Sequence, residues 1–251
     1  MFFEKRHGLF VGRFPAWART PGLRHAFSTR RGGVSRPPFG TLNLGLNTED
    51  DPDSVRENWV KFCVAAELDR DRAAFARQDH GDAVAVVETA RVYEDSDALV
   101  TQSTDVVLFI QVADCVPVFL FDPERRAVGL AHAGWRGSAK DIAGKTAAAM
   151  TARFGSDPGR MSACIGPSIG PCCCEVGPDA AERFSPRYLQ GSRLDLRAVN
   201  RDALIAAGMA PDAIHISRLC TVCHKDWFFS HRGDGGKTGR MAAMIGLEKT
   251  D

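Results

Sequence analysis

The sequence predicts a mixed α/β fold, and three observations carry that expectation. Apolar segments of strand length recur at 82–88, 104–113, 115–121, 127–133, 161–166 and 213–220. Segments of helical character at 50–68, 137–154 and 196–208 fall between them, which points to an α/β or α+β class with a mixed sheet. With 44% hydrophobic and 25% charged residues over 251 positions, the chain has the balance and length to bury a sizeable core. No repeat, low-complexity tract or linker divides it, so one domain over residues 1–251 is expected.

The elements follow in order. In "DDPDSVRENWVKFCVAAEL", Asp51 is placed to cap a helix, Pro52 suits its first turn, and Val55, Trp59, Phe62 and Cys63 share a face. "DAVAVVE" alternates as a half-buried strand, and "TDVVLFIQVA" reads as a buried one. "CVPVFLF" and "AVGLAHA" are two further strands joined by a turn at "DPERR", with Pro117 interrupting any central ladder. Residues 137–154 form one Ala-rich helix stopped by Gly155. "MSACIG" is a strand, "LRAVNRDALIAAG" a helix ended by Gly208, and "AIHISRLC" a late strand.

Composition excludes several functions. A formal net charge of +1 gives no electrostatic footprint for nucleic acid or an acidic membrane. Charged residues interrupt the first ten positions, where a secretion signal needs an apolar core, and no run approaches the ~20 residues of a membrane span. A cytoplasmic location is expected. Eight cysteines in 251 residues are about 3%, well below the ~8–10% of disulfide scaffolds. They read instead as buried thiols, metal ligands or catalytic groups.

His80, Cys115 and His132 stand at the ends of expected strands, where rigid scaffolds carry sites. Two imidazoles and a thiolate suit zinc with one position left open, although their spacings match no short zinc finger. The alternative is a buried thiol and two hydrogen-bonded histidines. Arg136, at the start of a helix, suits a phosphate or carboxylate, or else is solvated. "GPSIG" matches the nucleophile-elbow pattern around Ser168, but Pro171 and three cysteines stand where its helix is required. Two "GKT" strings lack the first glycine of a P-loop. "CTVCH" offers a C-x-x-C without a second one at finger spacing. "CCCE" in an extended segment would send adjacent thiols to opposite sides, so most are expected to pack, with Glu175 left as an acid–base candidate. "FFSHRGDGGKTGR" is a flexible segment or a loop bringing Arg232 and Arg240 over an anion.

Taken together, "HAFSTRRGGVS", "LNLG", "QDHG", "ADCVPV", "HAGWRG", "GPSIGPCCCEVG" and "FFSHRGDGGKTGRMA" resemble the YfiH-type family. That family is also called the laccase-domain or multicopper polyphenol oxidase family, and its likeness spans about residues 25–241. The resemblance implies one domain of layered mixed sheets flanked by helices, α-β-β-α, similar to bacterial deamidating-toxin cysteine hydrolases. It places zinc ligands on His80, Cys115 and His132, with copper as the other candidate metal. It implies phosphorolysis of adenosine, inosine and methylthioadenosine, deamination of adenosine, and in some bacterial members a peptidoglycan-editing role, amidase or cysteine hydrolase in kind.

On that basis the expected catalytic set is His80, Cys115, His132, Arg136 and Glu175, with Asp114 a second candidate for proton traffic. Arg30, Asn43, Arg136 and Arg240 are expected around substrate and phosphate. The implied partners are purine nucleosides and phosphate, with no nucleic acid, membrane or partner protein. Seven histidines and no H-x-H pair weigh against a multicopper cluster. The chain departs from the family pattern at Asp79, at Cys174, and at His231–Gly233.

Overall fold

A computed structural model describes residues 1–249. In chain order the strands are β1 (Phe2–Arg6), β2 (Leu9–Arg13), β3 (Leu23–Ser28), β4 (Ala73–Ala76), β5 (Val84–Val86), β6 (Val92–Tyr93), β7 (Ala98–Thr101) and β8 (Val107–Val112). They continue as β9 (Val116–Asp122), β10 (Ala127–Ala133), β11 (Ser162–Ile165), β12 (Leu189–Gln190), β13 (Arg193–Leu194), β14 (Ile214–Ile216) and β15 (Met241–Leu247). The helices are α1 (Pro52–Ala66), α2 (Trp135–Ala139), α3 (Ile142–Phe154), α4 (Pro178–Ala181) and α5 (Leu196–Ala206).

Two mixed sheets dominate, one of seven strands ordered β1-β2-β3-β15-β8-β4-β6 and one of six ordered β14-β11-β9-β10-β7-β5. β4–β8, β4–β6, β5–β7 and β11–β14 pair in parallel, and the other neighbours pair antiparallel. Strand alternation sorts their side chains into layers. In β8, Leu108, Ile110 and Val112 enter the core between the sheets with Phe119 and Phe121 of β9 and Val128 and Leu130 of β10. Val107 and Phe109 point the other way, onto Trp59 and Phe62 of α1. On the far side Val118, Leu120 and Ala131 meet Ile142, Ala147 and Met150 of α3 and Leu204 of α5. The result is the α-β-β-α stack that the family resemblance implies.

This layering decides where chemistry can sit. Cys115 continues the phase of Phe119 and Phe121, and His132 that of Val128 and Leu130, so both side chains emerge from the inter-sheet layer at one end.

Three expectations need correction. The single helix over 137–154 is two helices, because Asp141 adopts φ 63° and caps α3 through Gly144 N–H, breaking the run after Ala139. The late strand shrinks to Ile214–Ile216. Pro117 does lie in a central strand, but as its second residue, where the missing N–H falls at the ladder's end.

Candidate metal site and its cavity

His80 follows β4 in a loop that two side chains fasten. Gln78 extends the β4–β8 pairing by exchanging both amide hydrogen bonds with the Gln111 backbone, each 2.7 Å. Asp97 accepts from the N–H groups of Asp79 (3.2 Å), His80 (3.2 Å) and Gly81 (2.7 Å). The same carboxylate, fully buried, lies 2.6 Å from His132 Nδ1. A carboxylate can only accept here, so Nδ1 carries the proton and Nε2 is left for other duty. Asp97 stands opposite His132 across the β7–β10 ladder, where its carbonyl accepts His132 N–H at 2.8 Å.

The donor atoms of His80, Cys115 and His132 all lie within 4.8 Å of one another, and the two imidazoles are edge to face with centroids 4.9 Å apart. Gly134 makes room for them. A Cβ there would come within 3.1 Å of His80 Cδ2 and 3.2 Å of Cys115 Sγ. His80 (φ 64°) and Asp114 (φ 85°), flanking this cluster, both hold left-handed backbone.

The electrostatics agree with a shared cation. Burial alone would raise the Cys115 thiol and lower His132. The charge pair and hydrogen bond between thiolate and imidazole reverse both, helped by His80 at Cys115 and by Asp97 at His132, holding Cys115 below the ordinary thiol range and His132 above the ordinary imidazole range. Asp97 is likewise pushed upward by burial but held low by His132 and the Gly81 N–H. A metal can take the place of the proton that the pair shares. His₂Cys donors with a hydrogen-bonded carboxylate behind one histidine fit a tetrahedral zinc-type ion with an open fourth position.

This cluster forms the floor of a cavity of about 780 Å³. Arg136, Arg232 and Arg240 line it beside apolar Phe75, Val92 and Leu196. Arg136 lies over the Trp135 ring at 4.4 Å, in the first turn of α2.

The remaining sequence candidates scatter. Asn43 is buried and serves as a clamp, its Oδ1 accepting the N–H groups of Gly45 and Arg240. Arg30 lines a second pocket of about 290 Å³, with its guanidinium committed to the carbonyls of Gly40 and Lys225. Glu175 is exposed and faces Arg193 at 3.7 Å, because Cys174 and Val176 on either side of it take the cavity wall. Asp114 lines the cavity, yet its two oxygens accept from Thr221 Oγ1 (2.6 Å) and Arg232 N–H (2.7 Å). Sequence reasoning missed Asp97 altogether. Its one signal is an acidic residue directly before an apolar strand in "EDSDALV", too common a pattern to single it out.

The sequence model of the family described as multi-copper polyphenol oxidoreductase laccase matches residues 24–248. The chain belongs to this laccase family. Among its relatives, a protein of Deinococcus radiodurans named purine nucleoside phosphorylase is 39% identical over 243 residues, covering 93% of each chain. The Bacillus subtilis purine nucleoside phosphorylase YlmD is 36% identical over 244 residues, covering 89% of this chain and 88% of its own. A crystal structure of the Bacillus licheniformis hypothetical protein YfiH superposes with a TM-score of 0.88 at 35% identity, over 98% of this chain and 99% of that one. The laccase-family fold therefore holds over nearly the whole chain. No helix among the described residues is long and apolar enough to cross a membrane.

Proposed function

We propose that this protein is a zinc-dependent purine nucleoside phosphorylase, cleaving adenosine, inosine and methylthioadenosine with phosphate and deaminating adenosine at the same site in the cytoplasm. The observation that carries the reading is a His₂Cys donor set at the floor of an arginine-lined cavity large enough for a nucleoside beside phosphate. That the Bacillus subtilis and Deinococcus radiodurans relatives are named purine nucleoside phosphorylases supports the substrate class.

His80, Cys115 and His132 would hold the zinc, which when bound supplies Lewis-acid chemistry. The protein's own groups do the rest. Arg136, held flat by Trp135, and Arg240, whose backbone Asn43 fixes, orient phosphate so that one of its oxygens bonds to the ribose anomeric carbon. The glycosidic bond breaks as that bond forms, and its electron pair leaves with the purine, which takes up a proton. In deamination water adds at C6 of adenine and ammonia departs. Asp97 positions His132 and the His80 loop, while Asp114 and Glu175 act as structural supports. Copper oxidase chemistry fits less well, since a three-donor set without an H-x-H pair falls short of a multicopper cluster.

The test is turnover of adenosine with inorganic phosphate, read as adenine, ribose 1-phosphate and inosine. Arg136→Ala should raise the KM for phosphate several-fold more than it slows deamination. Equal loss of both reactions would make Arg136 structural, and no turnover of any nucleoside by metal-loaded protein would remove the proposal.

A further inference from the structure

Four cysteines outside the cavity converge without an apolar reason to do so. Cys172 and Cys223 are exposed, Cys173 is half-buried and Cys220 is buried. Cys172 Sγ and Cys173 Sγ each lie 3.6 Å from Cys223 Sγ, and the four sulfur atoms all fall within 4.8 Å of one another. Cysteines that merely pack look different here. Cys63 and Cys164 are sealed among hydrophobic side chains, each in its own core cluster.

Local backbone produces the convergence. The sequence-based expectation that adjacent thiols diverge assumed an extended segment. Instead Gly170 C=O accepts from Cys173 N–H (2.9 Å) and Cys174 N–H (3.0 Å), closing a turn. The turn aims Cys172 and Cys173 to one side and leaves Cys174 to line the cavity. The C-x-x-C lies in a second turn, closed by His224 N–H on Cys220 C=O at 3.1 Å. A bridge between Ser168 and Cys220 ties the two loops together.

One further detail suits a thiolate rather than a thiol at Cys220. Gly170 N–H donates to Cys220 Sγ at 3.2 Å. Gly170 is also sterically fixed, since a Cβ would come 2.2 Å from Arg197 Nη2, 3.2 Å from Cys172 Sγ and 3.3 Å from Cys220 Cβ. Chain folding thus brings four sulfurs to one point and supplies an amide donor to one of them.

We propose that Cys172, Cys173, Cys220 and Cys223 form a second metal site, binding one zinc(II) ion as a tetrathiolate. Zinc–sulfur bonds of ~2.3 Å in a tetrahedron place neighbouring sulfurs about 3.8 Å apart, close to the observed spacing. An iron–sulfur cluster sets several irons and sulfides among its thiolates and needs a wider cage. Zinc binding here releases the thiol protons and changes no oxidation state. The site is structural, closed by four protein ligands, and one of its links to the cavity runs through the C-x-x-C. Thr221, inside the C-x-x-C, donates to Asp114, the neighbour of Cys115.

Metal content of wild-type protein purified without oxygen or chelator tests this directly. Two zinc ions per chain are expected. Cys172→Ser with Cys223→Ser should lower that to one. His80→Ala with His132→Ala should also leave one, and cobalt(II) in its place should give the intense thiolate-to-cobalt charge transfer of a tetrathiolate. A third arm needs no variant. Iodoacetamide footprinting of folded wild-type protein should leave exposed Cys172 and Cys223 unmodified until a strong chelator removes the metal. Rapid alkylation of both in untreated protein would overturn the site, as would a disulfide joining Cys223 to Cys172 or Cys173. Absence of the cobalt signature from the double-histidine variant would do the same. Loss of zinc from the histidine site alone leaves all three cysteine readouts unchanged, so the two sites are judged separately.

Discussion

Replacing Asp97 by asparagine removes almost no volume but should disable the site from behind. The two carboxylate oxygens divide four donors, Oδ1 taking His80 N–H and His132 Nδ1–H, Oδ2 taking Asp79 N–H and Gly81 N–H. An amide offers one oxygen. With its NH₂ on the Oδ2 side it strands Asp79 N–H, while Gly81 N–H keeps the Asp79 Oδ1 acceptor at 3.0 Å; turned the other way it confronts both His80 N–H and His132 Nδ1–H. A stranded donor is worth about 1–3 kcal/mol, so Asp97→Asn in its less costly orientation should destabilise the fold by about 1–3 kcal/mol. That is a large share of the ~5–15 kcal/mol typical of a folded domain. Behind a metal-ligating histidine, loss of the partner typically weakens metal affinity about 10–100-fold. Chelator competition measures the affinity, and guanidinium unfolding with chelator present measures the metal-free stability. A variant that loses stability yet holds metal as tightly as wild type would show that Asp97 supports only the backbone. No change in either quantity would refute the hydrogen-bond account itself.

Two other perturbations test separate parts of the structure. Cys115→Ser should lose its metal and its turnover together while keeping the wild-type circular dichroism, because a hydroxyl stays protonated at neutral pH where a thiolate ligates. Full metal with abolished turnover, and a covalent substrate adduct in wild type, would make Cys115 a nucleophile instead. His25 is buried against Phe14, accepts the Phe14 N–H at 2.8 Å, and has its pKa lowered to about 3 by burial and by the Arg13 charge. The unfolded chain binds that proton near pH 6.5 and the folded one does not. Stability contributed by neutral His25 is therefore complete above about pH 6.5 and is lost progressively as pH falls toward 3. Between pH 7 and 5 the loss should be about 2 kcal/mol. His25→Gln should flatten the pH dependence by that amount in urea unfolding, and an unchanged slope would exclude His25 as the titrating group.

Much of this was legible because strand alternation and helix capping are local. Asp51 caps α1 through Asp53 and Ser54 N–H, β8 and β10 fall within the segments read for them, and β9 runs one residue past its own. The trio His80, Cys115 and His132 could be nominated because each stands at the edge of an expected strand, His80 in a polar turn just before one. What escaped was set by distant contacts. β15, "MAAMIGL", is buried along its whole length between two neighbours, so it shows no alternation to mark it as a strand. Asp97 matters only because β7 pairs with β10. Arg30 and Glu175 have suitable chemistry in the wrong place, one held by carbonyls and the other turned outward by its neighbours. The cysteine cluster was obscured by assuming an extended backbone where Gly170 closes a turn.

The position of β15 also constrains how the molecule can be made. It pairs with β3 on one side and β8 on the other, and among the described residues no other strand joins those two. Until the chain has been synthesised through Leu247, the larger sheet exists only as two pieces, β1–β3 and β8 with β4 and β6, each with an open inner edge. Closing it demands pairing between Leu23 and Leu247, the kind of non-local contact that slows folding. During that interval the unpaired edges of β3 and the more apolar β8 are the surfaces that nascent chains would share with one another.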